Sequence, residues 1–302
     1  MEFLQLPPRE TLPYTSCYCE ENIYKLIETH ITSTSLKHYT VIFLSNSSKC
    51  IPVFSQKIQR HPNNPTIWDY HVILAYHPNH SLEELLQQSK IREEVEEQAF
   101  EPAITKSYIY DLDTTIPTFP CPFPTYFAQT FSPPPSSAFE DPLDRVLLQM
   151  ALSRNIYNRY FRLVPANDYL DHFRSGRDHM KDNEGYWRAE PPVWDVIMGA
   201  KATADSFDDY IDFGECESRA EALEDGREYL GIIVGEERLW EVFGGGTRPD
   251  VELLDIMTRT VPEELSGEEA SATDNSSLVP EVSEASVPLV GVSSLQEPSI
   301  LG

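Results

Sequence analysis

The sequence predicts an α+β fold, and three patterns in the first third of the chain carry that reading. In CEENIYKLIETH, Ile23, Leu26 and Ile27 fall at i, i+3 and i+4, the spacing of one buried helix face. Residues 67–76 alternate instead with period two, which sets Trp68, Tyr70, Val72 and Leu74 on one face of a strand and Asp69, His71 and Ile73 on the other. A second helix is announced by Ser81 and Glu84, three residues apart as a capping box requires.

The remaining elements follow in order. Residues 39–44 and 51–54 are apolar and flank Ser45-Asn46-Ser47-Ser48, so they read as a β-hairpin. The charged segment from Ser81, residues 81–101, reads as a surface helix inserted between two strands. The second of those strands, residues 107–112, puts Tyr108, Tyr110 and Leu112 on one face and Ile109, Asp111 and Asp113 on the other. If it pairs antiparallel with residues 67–76, His71 and Asp111 can face each other. A Pro-rich loop over residues 117–135 precedes a helix with Asp141 as N-cap and Pro142 at its first position, expected to run to about residue 160. A short strand over 161–164 and a helix over 167–173 come next. After Gly244-Gly245-Gly246 the character changes. Residues 247–302 hold eleven acidic side chains, two arginines and no aromatic residue, so residues 246–302 are expected to be a disordered acidic tail behind a folded unit of residues 1–245.

Composition narrows the function. With 49 acidic against 23 basic side chains the formal charge is −26, which repels nucleic-acid phosphates and anionic lipid headgroups and draws in cations such as a peptide α-ammonium. No nucleic-acid or membrane partner is expected. At 302 residues the chain can bury a core without staples, and its five cysteines, Cys17, Cys19, Cys50, Cys121 and Cys216, are an odd set without disulfide-framework density. A reducing compartment fits, and with no apolar run long enough for a signal peptide or a span, the cytosol is expected, the nucleus also being open to the protein.

The chemistry centres on Cys19. A thiol at a helix amino terminus has its thiolate stabilised by unpaired N–H groups, and an adjacent imidazolium adds to that. A buried, inert cysteine is the plainer reading, Cys17 is a rival two residues away, and a lone C-x-C is weak evidence for a metal. His71 is a polar residue in an apolar strand, either a hydrogen-bonded core histidine or a base. Asp111 on a neighbouring strand could hold its other nitrogen and complete nucleophile, base and orienter. Asp113 shares that face, although its place before Thr114 suggests a turn or cap.

The residues also carry a resemblance. YTSCYCEENIYKL, WDYHVIL, YIYDLDT and HMKDNEGYWRAEPP, the last preceded by FRLVPANDYLDHF, resemble in order the motifs of protein N-terminal glutamine amidohydrolases, from about Pro13 to Phe243. That resemblance implies a papain-like or transglutaminase-like α+β fold, with the cysteine's helix packed on an antiparallel sheet bearing the histidine and aspartate. It implies Cys19 as nucleophile, His71 as base and Asp111 as orienting acid, with no cofactor and no metal. The implied reaction converts an amino-terminal glutamine of a protein or peptide to glutamate through a thioester, with release of ammonia, and would feed an N-degron pathway; a monomer is expected. Selectivity for a terminal residue needs a partner for the α-ammonium, for which Glu20, Glu21 and Asp69 are candidates, and Trp68 is a candidate pocket wall. A related cysteine protease or transglutaminase, and an inactive adaptor on the same fold, are the rival functions.

Overall fold

The computed structural model describes residues 7–95, 106–214, 226–245 and 248, without the side chains of residues 92–95. In chain order its elements are α1 (Cys19–His30), β1 (Tyr39–Ser45), β2 (Ile51–Val53), β3 (Thr66–Trp68), β4 (His71–Tyr76), α2 (Leu82–Val95), β5 (Tyr108–Tyr110), β6 (Cys121–Pro122), α3 (Phe123–Phe131), α4 (Pro142–Leu152), β7 (Tyr160–Pro165), α5 (Ala166–His172), α6 (Phe207–Tyr210), β8 (Ile232–Gly235) and α7 (Glu236–Phe243). Short 3-10 turns join several of them. This is an α+β arrangement, and no described helix is long and apolar enough to cross a membrane.

All seven residues of β1 are buried, so YTVIFLS needs cover on both faces and partners on both edges. It pairs antiparallel with β4 on one side and β7 on the other. The six-stranded sheet runs β6-β5-β4-β1-β7-β8, antiparallel throughout. Alternation then sorts the side chains into two layers. Val41, Phe43, Val72, Leu74 and Val164 join α1 and α5 on one face, while Ile42, Leu44, Ile73, Ala75 and Leu163 join α2, α3 and α7 on the other.

This topology corrects the expected hairpin. Residues 39–44 do not pair with 51–54; β2 pairs with β3 in a separate two-stranded sheet. The expected single strand over 67–76 is likewise broken, with Trp68 ending β3 and His71 beginning β4 while Asp69 and Tyr70 link the two sheets. The chain must turn there because Trp68 belongs to a ladder with Ile51 and His71 to a ladder with Leu44.

The Pro-rich stretch is a second correction, since it contains α3. Pro122 precedes the helix and Pro124 sits in its first turn, where a missing N–H costs nothing, and Phe123, Tyr126, Phe127, Thr130 and Phe131 are buried. The Ser81 capping box forms, with the Ser81 N–H donating to Glu84 Oε2 at 2.7 Å and the Glu84 N–H to Ser81 Oγ at 3.3 Å. The helix it opens is not wholly a surface element, because Leu82 and Leu85 are buried in the second layer; residues 96–101 of the expected insertion lie outside the described residues. Asp141 caps α4 by accepting from the Leu143 N–H at 2.8 Å, but α4 ends at Leu152 and not near residue 160, where β7 begins. β8 and α7 are elements that the sequence reading did not anticipate. Of the acidic segment, only Arg248 is described.

One glycine is fixed by close approach. Gly231, leading into β8, has φ +72°, and a Cβ there would lie 1.9 Å from the Leu163 carbonyl oxygen of β7. Gly231→Ala is therefore expected to destabilise the protein by at least about 2 kcal/mol, read as a lower urea midpoint at unchanged slope.

Candidate active site

The first turn of α1 is built to present Cys19. Cys17 holds a left-handed backbone with φ +67°, which reverses the chain just before the helix, and Cys19 is the first helical residue. Asn22 clamps this entry: its side chain accepts from the Thr15 N–H and donates to the Thr15 carbonyl, each at 2.8 Å. The unpaired N–H groups of a helix start make this the positive end of α1. Burial nevertheless pushes the Cys19 thiol well above its ordinary range, and Glu20 beside it pushes in the same direction.

His71 is the first residue of β4. In the β4–β5 register Leu74 faces Tyr110, so Asp111 is reached from His71 diagonally across the pair. His71 Nε2 and Asp111 Oδ1 are 3.1 Å apart, with both residues buried. Asp111 is surrounded by further donors. Its Oδ1 accepts from the Asp113 N–H at 2.8 Å, and its Oδ2 accepts from Tyr126 Oη at 2.9 Å and from Gln56 Nε2 at 3.2 Å. Burial works against both charges, but each is outweighed by the partner: His71 stays above its ordinary pKa and Asp111 below its own. Trp68 stacks on the imidazole, ring centroids 5.8 Å apart and planes within 11°, and covers one face of it.

Cys19, His71 and Trp68 line one cavity of about 430 Å³, together with Cys17, Asp113 and His179. Cys17 is thus still a neighbour, but it is not helical. Asp113, read from sequence as a turn or cap residue, is buried at this wall, accepts from Tyr14 Oη at 2.6 Å, and has its carboxyl pKa raised by desolvation. The three acids considered for an ammonium ion separate clearly. Glu21 is held by Arg177 Nε and Nη2, both at 2.7 Å, and by Trp194 Nε1 at 2.7 Å, so it is occupied. Asp69 is exposed at the cavity and caps the Tyr70 N–H at 2.9 Å. Glu20 is buried beside Cys19, its Oε2 3.7 Å from the Cys19 Sγ.

Sequence reasoning missed Gln56 and Tyr126, which complete the Asp111 shell, and His179, although HMKDNEGYW was singled out as a motif. Tyr126 was hidden because its helix lay inside a stretch read as loop. Ligand atoms of His71, Asp111 and Asp113 lie within 4.8 Å of one another, close enough to surround a cation. The oxygens of Asp111 are already engaged by the donors above, so the set reads as a hydrogen-bonded dyad with a second acid beside it.

Residues 14–243 match the model of a family described as N-terminal glutamine amidase. The chain is 36% identical over 193 residues to a Bos taurus protein named protein N-terminal glutamine amidohydrolase, covering 63% of this chain and 73% of that one. The Homo sapiens protein of that name is 35% identical over 193 residues, covering 63% and 74%. The Arabidopsis thaliana one is 27% identical over 239 residues, covering 76% and 90%.

The His71–Asp111 pair predicts its own pH dependence. Asp111 is lowered, so its contribution to stability is complete above 3.8 and lost as pH falls through the folded value; His71 is raised, so its contribution is complete below 6.5 and lost as pH rises through its folded value. The pair should stabilise most between those two pH values. In Asp111→Asn the nearest charge is gone while burial and the charges of Asp113 and Glu20 remain, so His71 should titrate lower than in the unsubstituted protein by NMR. An unmoved titration would show that Asp111 does not hold the imidazolium.

Proposed function

The chain belongs to the N-terminal glutamine amidase family, and on that premise we propose that it hydrolyses the side-chain amide of a glutamine at a protein's amino terminus, leaving glutamate and ammonia. The observation that carries the mechanism is that a thiol at a helix start and a buried imidazole, itself held by a carboxylate, open on one cavity. In this reading Cys19, His71 and Asp111 act together, on a nucleophile helix packed against an antiparallel sheet as in papain-like and transglutaminase-like hydrolases.

His71 takes the Cys19 proton, and the thiolate attacks the amide carbon to give a tetrahedral oxyanion, for which the Cys19 backbone N–H at the helix start is a natural donor. The oxyanion collapses to a thioester as His71 returns the proton to the departing nitrogen, which leaves as ammonia. Water, losing a proton to His71, then attacks the thioester and releases glutamate and the thiol. Asp111 keeps the imidazole in one orientation and stabilises its cation through both steps. Product chains beginning with glutamate would pass to an N-degron pathway. The free thiols Cys17, Cys19, Cys50 and Cys121 support action in a reducing compartment, cytosol or nucleus.

A short peptide beginning with glutamine tests the reading against the same peptide acetylated. Ammonia is expected from the free peptide alone; ammonia from both would point to a less restricted amidase, and none from either would point to an inactive fold. Cys19→Ser should abolish release with the fold intact, whereas Cys17→Ser should keep substantial activity. The reverse outcome would move the nucleophile to Cys17.

We further propose that residues 1–245 are the catalytic unit and that the acidic segment after them is dispensable. A chain ending at residue 246 should lose −9 of the −26 charge and turn over normally with the same pH profile. Lost turnover or aggregation in that chain would make the segment part of the domain.

A further inference from the structure

A buried carboxylate beside a cysteine nucleophile opposes the chemistry expected of it. Glu20 has no exposed surface, and its Oε2, 3.7 Å from Cys19 Sγ, accepts from Tyr70 Oη at 2.9 Å. Its Oε1 is buried without a hydrogen-bond partner. Negative charge at that distance disfavours the thiolate, and a buried carboxylate lacking a counter-charge is itself costly. The basic group facing Oε1 is His179, whose Nε2 lies 3.6 Å away and is likewise buried and unpartnered. Its ring stacks on Phe207 with centroids 3.7 Å apart, and both rings line the cavity on which Cys19 opens, whereas Glu20 is not part of that lining and meets it through Cys19, Tyr70 and His179. Arg177 is committed to Glu21 by two hydrogen bonds of 2.7 Å.

We propose that Glu20 and His179 form the subsite for the substrate's α-ammonium, so that a free amino terminus brings the positive charge that the Cys19 thiolate needs. This rests on the reading of the protein as an N-terminal glutamine hydrolase. With the imidazole proton on Nε2 and turned to Glu20, Nδ1 is left as an acceptor for an ammonium hydrogen while Glu20 supplies the opposing charge. The dimensions agree. In an extended glutamine the amide carbon and the α-nitrogen are about 5 Å apart, so a carbon in contact with Sγ puts the ammonium within about 8 Å of the sulfur. Glu20 is inside that range.

The charge balance around Cys19 gives the pair its effect. Nearest the sulfur are Glu20 from α1, Asp69, Tyr70 and His71 around the start of β4, Asp113 beyond β5, and His179 from the 3-10 turn Asp178–Met180, while Lys49, Arg188 and Asp208 also line the cavity. Of the groups next to the sulfur only the two imidazoles can be cationic, and His71 is bound to Asp111. An ammonium ion at the His179–Glu20 pair therefore adds a cation beside the acid in contact with the sulfur. An acetylated or internal glutamine brings none, and is penalised in turnover as well as in binding.

The test compares a glutamine-initiated peptide with its desamino analogue, in which a glutaramyl group replaces the glutamine and lacks only the α-amino group. The wild-type protein should prefer the former by at least about 100-fold in kcat/KM, since the analogue leaves buried polar groups unpaired. In Glu20→Gln that preference should fall below about tenfold, and the pH at which Cys19 is alkylated by iodoacetamide in the free protein should move down. His179→Ala, a less buried change, should raise KM for the glutamine peptide and leave KM for the analogue where it was. Preference retained in both variants, or equal losses on both peptides with an unmoved alkylation profile, would overturn the subsite and leave the hydrolase reading standing. A wild-type protein that releases ammonia equally from both peptides, or from neither, would overturn the hydrolase reading itself and the subsite with it.

Discussion

A buried carboxylate persists as an anion only where donors replace the water it has lost, and the whole site is arranged around that requirement at Asp111. Its donors come from His71 at the start of β4, Gln56 after β2, Tyr126 in α3 and the backbone of Asp113. Three side chains from separate parts of the chain therefore converge on one group. The small β2–β3 sheet and α3 earn their place through this convergence, since each delivers or supports one of the donors. Trp68, ending β3, adds the cover over the imidazole.

The helix that carries Cys19 is anchored as firmly from the other side. Tyr169 of α5 donates to the Glu20 carbonyl at 2.9 Å, Tyr18 donates to the Ala189 carbonyl at 3.1 Å, and Glu21 receives Arg177 and Trp194. These bonds tie α1 to the segment that also supplies His179 and Met180 to the cavity wall. Arg177 adopts a left-handed backbone, φ +64°, while its side chain pairs bidentately with the buried Glu21. The first turn of α1 thus holds two acids in opposite states: Glu21 saturated, Glu20 with one oxygen unpartnered.

Much of this was legible in the sequence where the signal was local. The helix at Cys19, the capping box at Ser81, the cap at Asp141 and the odd-numbered face of residues 107–113 all depend on residues a few positions apart, and all are found. Pairing was less legible, because a run such as YTVIFLS shows that a strand is buried without naming its neighbours, and a turn-rich SNSS beside it favours the wrong one. The break between Trp68 and His71 was invisible for a related reason: period-two alternation continues through Asp69 and Tyr70 although the strand does not. The prolines around Phe123 marked loop, yet at the first turn of a helix they cost little, and that misreading concealed Tyr126. Glu20 and Glu21 looked alike as neighbouring acids; only tertiary partners separate them.

The placement of β1 has a kinetic side. Its two partners lie on either side of it in space but far apart along the chain: Thr40 pairs with Ala75, 35 residues on, and with Pro165, 125 residues on. Contacts of that range close large loops, whose entropy must be spent before the contacts return any energy, and such topologies fold slowly. During synthesis the strand bearing His71 emerges long before β7 can seal the opposite edge of β1. Cys19, His71 and Asp111 are therefore all translated before β7, the strand that closes the second edge of β1.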